Sequence, residues 1–317
     1  MNVPFLKKYQ PQFYKEFIID NDYIQLLNTL IEMDNLNILL IGNNGSGKTS
    51  LIEATIREYY NSNTIPHNNV LVINNLKDQG IQYYRNEVKI FSQTRSNIPG
   101  KKKFIILDDI DLINEQSQQV FRNCIDKYSH NVHFLSSCTN IQKVIDSVQS
   151  RCSIIKINSM DKESLNIIFN NIKKAENITI HPSAQRLILN ICNNSIRQLI
   201  NYLEKFKLLN EVITTNKVKK ICTNISFYEF EKFTEYWLTD KDINNAIDII
   251  YTIFNKGYSV MDILDNYFIF IKTTAFIDET LKFKIIKVIC KYISIFHTLH
   301  ENELELVLFT DDLINLL

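Results

Sequence analysis

Residues 37–49 read NILLIGNNGSGKT, and this stretch decides the fold class of the first half of the chain. Its first part, Asn37 to Ile41, is a short apolar run with the pattern of a buried strand. Its second part, Gly42 to Thr49, matches the pattern G-x-x-x-x-G-K-[S/T], in which backbone N–H groups cradle phosphate oxygens. Three of the six glycines in the chain lie in this loop, so their clustering is informative. The alternative is a chance Gly-Lys-Thr loop without a ligand.

The loop predicts a site for ATP and Mg²⁺. Glycines permit close approach of the backbone to phosphate oxygens, Lys48 is expected to reach the β- and γ-phosphates, and Thr49 is expected to ligate Mg²⁺. Apolar positions after Thr49 predict a helix whose N-terminal dipole points at the same anion. The residues expected to bind the nucleotide are Gly42, Asn43, Asn44, Gly45, Ser46, Gly47, Lys48, Thr49 and Ser50.

A second apolar run ends in acidic residues. Lys103 to Leu107 reads as a strand, and Asp108-Asp109-Ile110-Asp111 follows it directly. The carboxyl edge of a parallel sheet is where ligands bind, so these acids are expected beside the nucleotide. We expect Asp108 to be the Mg²⁺ carboxylate and Asp109 to orient the attacking water. A solvated acidic turn is the alternative explanation.

Strand and helix patterns divide the chain into an α/β part and a helical part. The runs with strand character are 37–41, 70–73, 104–107, 132–136 and 153–157, and helical stretches alternate with them. This alternation predicts a parallel sheet covered by helices. Strand character ends at about Asp161, and only helical periods follow. Breaks near residue 158 and within 214–226 predict three parts, 1–158, 159–225 and 226–317.

Composition limits the classes of function. Lys+Arg and Asp+Glu number 35 each, so attraction to DNA has to come from a local basic patch and not from net charge. The first 13 residues lack a signal-peptide pattern, and polar residues interrupt every long apolar run. We therefore expect a soluble intracellular protein that does not enter a membrane. The six cysteines show no metal-ligand spacing and are expected to be reduced thiols.

Four further segments complete a resemblance to the small subunits of replication factor C, the sliding-clamp loaders of the AAA+ class. The segment at 5–11, FLKKYQP, resembles the family's W-x-x-K-Y-R-P, and 118–122, QQVFR, resembles the end of A-Q-Q-A-L-R. Residues 150–152 match the S-R-C signature, and 194–198, NSIRQ, resemble G-D-M-R-Q. The resemblance extends over nearly the full length.

The resemblance implies three domains and further site residues. They are an AAA+ P-loop ATPase domain at 1–158, a small helical lid at 159–225 and an all-α collar at 226–317. Tyr9 lies in the segment that packs on the nucleotide's base. Thr139 corresponds to the sensor near the γ-phosphate, and Arg197 to a lid contact with that phosphate. Arg151 corresponds to a finger donated to the ATP of a neighbouring subunit, which stabilises the transferred phosphoryl group.

The chain departs from the family pattern at three positions of interest. Phe5 replaces Trp and Gln10 replaces Arg in the first segment, which affects the base pocket. Asp109 stands where the family has Glu, and its shorter arm moves a general base by about one methylene. Because a misplacement on the order of 1 Å costs roughly 10²-fold in rate, hydrolysis is expected to be slower than in a typical subunit.

The expected DNA contacts are basic residues on helices. The stretch 80–89 resembles the family's helix that tracks the DNA backbone, with Arg85 and Lys89 one turn apart on the same face. Arg122, in the segment at 118–122, is a third expected DNA contact. A solvated basic face is the alternative for Arg85 and Lys89. The apolar Ile81, Tyr83 and Tyr84 would contact the clamp or pack in the core.

The implied function is loading of a sliding clamp onto primer-template DNA by ATP binding and hydrolysis during DNA replication. The implied partners are other clamp-loader subunits in a ring, expected to be a hetero-pentamer, together with the clamp and the DNA, in the nucleus or another replication compartment. One alternative is a different DNA-associated AAA+ ATPase, an initiator or helicase loader. Another is a structural ring subunit that binds ATP and hydrolyses it weakly.

Overall fold

A computed structural model describes residues 3–73, 81–192, 194–223, 225–274, 277–296 and 299–316, with only the backbone described at 81–85. Five strands form one parallel sheet in the order β2-β3-β4-β1-β5. They are β1 Ile38–Ile41, β2 Val70–Ile73, β3 Lys103–Leu107, β4 Val132–Cys138 and β5 Ser153–Lys156. The register pairs Ile38 with Leu135 of β4 and with Ser153 of β5, and Leu107 with Ser136.

Both faces of the sheet are buried at the central strands β1, β3 and β4, as their largely apolar sequences require. Alternate residues point to opposite faces, so Leu39 and Ile105 belong to one hydrophobic core while Leu40 and Ile106 belong to the other. The predictions of a parallel sheet covered by helices and of a helical second half are confirmed. After residue 158, pairing of extended segments in the described chain is limited to one bridge, between Ile180 and Ile213.

Fifteen α-helices occur in the described residues. Two of the shortest, α1 and α6, have four residues each, and α14 is the longest with 17. The bounds are α1 Phe5–Lys8, α2 Asn21–Glu32, α3 Lys48–Tyr60, α4 Ile81–Gln93, α5 Glu115–Tyr128, α6 Asp146–Gln149, α7 Lys162–Ala175, α8 Pro182–Ile191, α9 Ile196–Leu209, α10 Thr215–Ile221, α11 Phe227–Glu235, α12 Ile243–Phe254, α13 Val260–Thr273, α14 Glu279–Ile295 and α15 Leu304–Ile314. None of them, within the described ranges, combines the length and apolar character needed to span a bilayer.

The chain forms two compact units. One contains residues 1–172 with 194–204, and the other contains residues 173–193 with 205–317. The described residues of the second unit are helical apart from the Ile180–Ile213 bridge, and the core of this unit includes a cluster of aromatic side chains. The buried Trp237 indole N–H donates to the hydroxyl oxygen of Tyr267 at 3.1 Å, which satisfies both polar groups inside that core. The division into three domains at 158 and 225 stays a prediction.

A buried histidine lies at the amino edge of the sheet. His133 on β4 is 1% exposed, and its Nδ1 accepts a hydrogen bond from the backbone N–H of Leu36 at 3.3 Å. Nε2 therefore carries the proton and donates to Asp34 Oδ1 at 3.1 Å. Burial, followed by the nearby Lys102 ammonium, lowers the pKa of His133 to about 4, although Asp34 opposes the shift. His133 is therefore neutral in the folded chain at physiological pH.

We expect stability to fall in mild acid because of His133. In the unfolded chain His133 has its ordinary pKa of 6.5 and binds a proton below that pH. In the folded chain His133 binds the proton only below about pH 4. The free energy of unfolding should therefore fall by up to about 3 kcal/mol as the pH drops through that window. Urea titrations at pH 4 to 7 measure this slope.

The variant His133→Gln tests which group produces the slope. It should be less stable at pH 7 but lose less stability between pH 6.5 and 4. The exposed His130 provides the matched control, because His130→Gln should keep the slope of the parent chain. An unchanged slope in His133→Gln would assign the acid sensitivity to other groups.

Candidate active site

The loop between β1 and α3 is held against the sheet by its own backbone. The N–H of Gly42 donates to the carbonyl of Cys138 on β4 at 3.2 Å. Gly45 and Gly47 have φ angles of 77° and 93°, a region that disfavours side chains with a Cβ. An added Cβ at Gly42 would lie 2.7 Å from the carbonyl oxygen of Ile157. The loop thus needs glycine for space at Gly42 and for conformation at Gly45 and Gly47.

Lys48 begins α3 and is 7% exposed. Its Nζ donates to the carbonyls of Gly42 and Asn43 at 2.8 and 3.1 Å, so the side chain lies along the loop. Burial lowers the pKa of Lys48, and the carboxylates of Asp109 and Asp108 oppose that shift. The hydroxyl of Ser46 is buried and has no hydrogen-bond partner among the described residues. The loop therefore presents a cation and an unsatisfied polar group together.

Thr49 and Asp108 meet at the carboxyl edge of the sheet. Thr49 Oγ1 lies 3.1 Å from Asp108 Oδ2 and 3.5 Å from Oδ1. A hydroxyl and a carboxylate are the hard oxygen donors that Mg²⁺ takes in proteins, usually one or two of them together with phosphate and water. The donor set therefore fits Mg²⁺, and these two residues could hold it.

Asp109 has the left-handed backbone conformation, with φ 52°. Its N–H donates to Ser137 Oγ at 3.1 Å, which supports this conformation. Burial, followed by the neighbouring charge of Asp108, raises the pKa of Asp109, while Lys48 and Arg197 oppose that shift. A carboxylate with a raised pKa is a better proton acceptor than an ordinary aspartate.

Lys48, Thr49, Asp108 and Asp109 line a cleft of about 530 Å³ within the first compact unit. One side is formed by the N-terminal segment, where Tyr9 lines the cleft and Gln10 donates to Glu53 of α3 at 2.9 Å. The side-chain amide of Gln10 thus ties the N-terminal segment to the helix that follows the loop. Other residues that line the cleft include Leu6, Lys7, Pro11, Glu16, Phe17, Ile18, Ile19, Asn44, Ser50, Met160, Ile168, Asn171, Ile172, Ile196 and Ile200.

Helix α9 brings a further cation to the cleft. Arg197 is exposed, lines the cleft, and acts electrostatically on Asp109. The preceding Ser195 approaches the loop so closely that a Cβ added at Gly45 would lie 2.5 Å from Ser195 Oγ. Residues separated by some 150 positions in sequence are therefore in contact at this end of the cleft.

Thr139 follows β4 and contacts an acid instead of the cleft. Its hydroxyl donates to Asp111 Oδ2 at 2.6 Å, and the backbone N–H groups of Thr139 and Asn140 donate to the same oxygen at 3.2 and 3.1 Å. Burial raises the pKa of Asp111, but these hydrogen bonds outweigh burial and hold it below its ordinary value. Thr139 belongs to the described chain and does not line the cleft.

Arg151 follows α6 and is held by an aspartate on α5. Its Nε donates to Asp126 Oδ1 at 2.6 Å, and Nη1 donates to the carbonyl of Ser147 at 2.7 Å. The hydrogen bond from Arg151 lowers the pKa of Asp126. Arg122 pairs with the other carboxylate oxygen of Asp126 at 3.6 Å. Arg151 lies within the described part of the chain, and it is not among the residues that line the cleft of its own chain.

The other basic residues of interest lie on α4. Lys89 is exposed on this helix. The side chains of Arg85, Ile81, Tyr83 and Tyr84 lie outside the described residues, so their expected contacts stay predictions.

Neither Ser137 nor the hydrogen bonds of Asp111 were predicted from the sequence, although Asp111 was among the acids expected beside the nucleotide. Ser137 contacts both Asp108 and Asp109, and Asp111 holds the segment after β4. What could have indicated these contacts is position along the chain, because Ser137 lies at the end of β4 and Asp111 lies shortly after the end of β3. That signal becomes visible only when β3 and β4 are known to be neighbours.

Two family models match the chain. Residues 38–159 match the ATPase family associated with various cellular activities, and residues 229–292 match the replication factor C C-terminal domain. The first match covers the loop, the acidic strand end and the residues up to β5 and Ser159. The second lies in the second compact unit, so the two matches account for separate parts of the chain.

Curated relatives agree with both matches. A replication factor C small subunit of Methanococcus maripaludis is 27% identical over 84% of this chain and 85% of its own length. Replication factor C subunit 4 of Saccharomyces cerevisiae is 27% identical over 90% and 88%. A solved DNA polymerase III gamma subunit-related protein of Thermotoga maritima shares the fold, with a TM-score of 0.54, 14% identity and coverage of 92% and 97%. The chain therefore contains an AAA ATPase region and a replication factor C C-terminal region, and it is similar over most of its length to the small subunits of replication factor C.

Proposed function

We propose that the chain is a clamp-loader subunit that binds ATP with Mg²⁺ in the cleft and uses hydrolysis in a ring of subunits to load a sliding clamp onto primer-template DNA. The observation that carries the proposal is the approach of Thr49 to Asp108, 3.1 Å between oxygens, beside the buried Lys48. The replication factor C relatives support the role in DNA replication.

The residues of the loop and of β3 have separable roles in this proposal. Lys48 binds the β- and γ-phosphates, for which it leaves the carbonyls of Gly42 and Asn43. Thr49 and Asp108 hold Mg²⁺, which when bound neutralises charge on the phosphate oxygens. Asp109 orients the attacking water, and its raised pKa favours proton acceptance.

Other parts of the cleft bind the rest of the nucleotide. Tyr9 and its neighbours pack on the base, and the Gln10 to Glu53 hydrogen bond fixes that segment. Arg197 contacts the γ-phosphate from α9, where its charge already acts on Asp109. Thr139 serves as the sensor after β4, oriented by Asp111.

Arg151 acts on the ATP of a neighbouring subunit. This assignment is supported by its position outside the cleft lining of its own chain and by the contacts with Asp126 and the Ser147 carbonyl that orient it. An arginine supplied from another subunit stabilises transition-state charge on the phosphoryl group. Hydrolysis would then depend on assembly, whereas nucleotide binding would not.

The partners follow from the same family. Lys89, Arg85 and Arg122 contact the DNA backbone, and other clamp-loader subunits complete the ring, in the nucleus or another replication compartment. One observation favours a second candidate, a ring subunit that binds ATP and hydrolyses it weakly. Asp109 stands where relatives are expected to carry Glu, and its side chain is one methylene shorter. The carboxylate that acts as general base would therefore lie farther from the attacking water.

The contact between Gly45 and Ser195 gives a test of the cleft. Gly45→Ala adds a Cβ 2.5 Å from Ser195 Oγ at a φ of 77°, so it should weaken ATP binding at least 10-fold and lower the melting temperature. Gly100→Ala is the matched control, because Gly100 has a similar φ of 72° and no atom within 4 Å of its added Cβ. It should cost only about 1 kcal/mol and leave ATP affinity unchanged.

A double variant separates the clash from backbone strain. Ser195→Ala removes the atom nearest to the added Cβ, so Gly45→Ala with Ser195→Ala should recover part of the lost ATP affinity. Equilibrium titration with a fluorescent ATP analogue measures all four proteins. Equal effects of Gly45→Ala and Gly100→Ala on ATP binding would contradict this account of the cleft.

Steady-state ATPase measurement of the assembled complex tests the function itself. Primed DNA and the clamp should each raise the rate, and Lys48→Ala should remove the share contributed by this subunit while the ring still assembles. The exposed Lys174 gives the control, since Lys174→Ala should change neither the rate nor assembly. A rate indifferent to both DNA and clamp would rule out a clamp loader. A wild-type rate in Lys48→Ala would favour the weakly hydrolysing ring subunit.

Arg151→Ala separates binding from hydrolysis. The isolated variant should bind ATP as the parent does, within about twofold, because the residue lies outside its own cleft lining. In the complex, the site that Arg151 serves should lose roughly 10³-fold in rate. The exposed Arg186 supplies the control variant, Arg186→Ala. Loss of ATP binding by the isolated Arg151→Ala chain would place the residue in its own site.

A further inference from the structure

Ser137 occupies a central position beside the acidic strand end. It is the second-last residue of β4, and the register that pairs Leu107 with Ser136 puts it level with Asp108. Ser137 is 0% exposed. Its neighbour Ser136 points to the other face and donates to the carbonyl of Ile38 at 3.0 Å, so only Ser137 of these two hydroxyls contacts the acids.

The hydrogen bonds of Ser137 have a fixed direction. The N–H of Asp109 has to donate, so Ser137 Oγ accepts that bond at 3.1 Å. A serine hydroxyl carries one proton, and this proton is directed to Asp108 Oδ1, 2.5 Å away. One buried hydroxyl therefore joins the side chain of Asp108 to the backbone of Asp109.

This contact divides the two oxygens of Asp108 between different partners. Oδ1 is fixed by Ser137, and Oδ2 lies 3.1 Å from Thr49 Oγ1. Loss of the contact at Oδ1 removes a hydrogen bond that orients the carboxylate, and with it the support that keeps Oδ2 close to Thr49. Because Ser137 is fully buried, bulk water has no access to the position of its hydroxyl.

We propose that Ser137 is a positioning residue that sets the Mg²⁺ carboxylate Asp108 and, through the same hydroxyl, the backbone of Asp109. The inference rests on the proposed Mg²⁺–ATP site and adds a residue to which no role in that site is otherwise assigned. Outer partners that orient metal ligands typically contribute 10–100-fold to metal affinity or activity. The effect of Ser137 should accordingly appear in Mg²⁺ dependence and not in nucleotide affinity as such.

The test is an equilibrium titration of the full chain with a non-hydrolysable fluorescent ATP analogue, once in saturating Mg²⁺ and once in EDTA. The ratio of the two affinities reports how strongly Mg²⁺ favours binding, with no need for turnover or for partner subunits. Ser137→Ala should reduce this ratio about 10-fold or more and change the affinity in EDTA by less than about twofold. Ser137→Thr, which keeps the hydroxyl, should restore the ratio.

Two controls make the result specific. Ser136→Ala removes a buried hydroxyl from the same strand and should leave the ratio unchanged. In an Asp108→Asn background, Ser137→Ala should have no further effect, because its action passes through that carboxylate. If Ser137→Ala does not fold, as judged by thermal unfolding, Ser137→Cys carries the test, since a thiol is a weak donor of similar size.

The outcomes separate this inference from the proposed function. A parent-like ratio in Ser137→Ala, or an equal fall in Ser136→Ala, overturns the role of Ser137 and leaves the nucleotide site standing. A parent chain that binds the analogue equally with and without Mg²⁺ overturns the metal site and this inference together. A parent chain that does not bind the analogue at all overturns the proposed function itself.

Discussion

The position of β4 between β1 and β3 is the constraint on which the rest of the site depends. The loop from Gly42 to Thr49 follows β1 and the acidic residues follow β3, and these two strands are not neighbours. Contacts from the end of β4 connect them, because Cys138 accepts from the N–H of Gly42 while Ser137 donates to Asp108. Parallel pairing brings all three strand ends to one edge, so the approach of Thr49 to Asp108 is a consequence of strand order.

Close packing at this edge limits the space for side chains at two glycines of the loop. Gly42 lies between the ends of β4 and β5, where a Cβ would meet the Ile157 carbonyl at 2.7 Å. Gly45 is confined instead by Ser195, which precedes α9. The loop is thus enclosed by the sheet on one side and by α9 on the other. A shift of α9 would therefore move Arg197 and change the packing of Ser195 against the backbone of the loop at the same time.

Sequence patterns predicted what depends on short stretches of chain. The five strands fall within one or two residues of the expected runs because buried parallel strands are rich in apolar residues, as Phe104 to Leu107 shows. The loop at Gly42 to Thr49 was visible for the same local reason. The hydroxyl of Ser137 was not, since its meaning depends on which strand lies beside β3, and a single sequence does not encode that order in any local pattern. The partnership of Asp126 with Arg151 likewise joins α5 to the end of α6, 25 residues apart.

The contact between Thr139 and Asp111 limits what a sensor at this position can do. A threonine hydroxyl has one proton, and here the proton goes to Asp111 at 2.6 Å. Asp111 accepts two further backbone hydrogen bonds at the same oxygen, and its pKa is held below the ordinary value. Asp111 therefore remains a carboxylate and continues to accept the hydrogen bond from the Thr139 hydroxyl. In this arrangement the hydroxyl oxygen of Thr139 can act towards another group only as a hydrogen-bond acceptor, through its lone pairs. Phosphate oxygens at neutral pH are acceptors and cannot use them, whereas a water molecule can donate to them. If Thr139 is the sensor that we propose, its natural partner is therefore the attacking water, and the γ-phosphate is left to the cations Lys48 and Arg197.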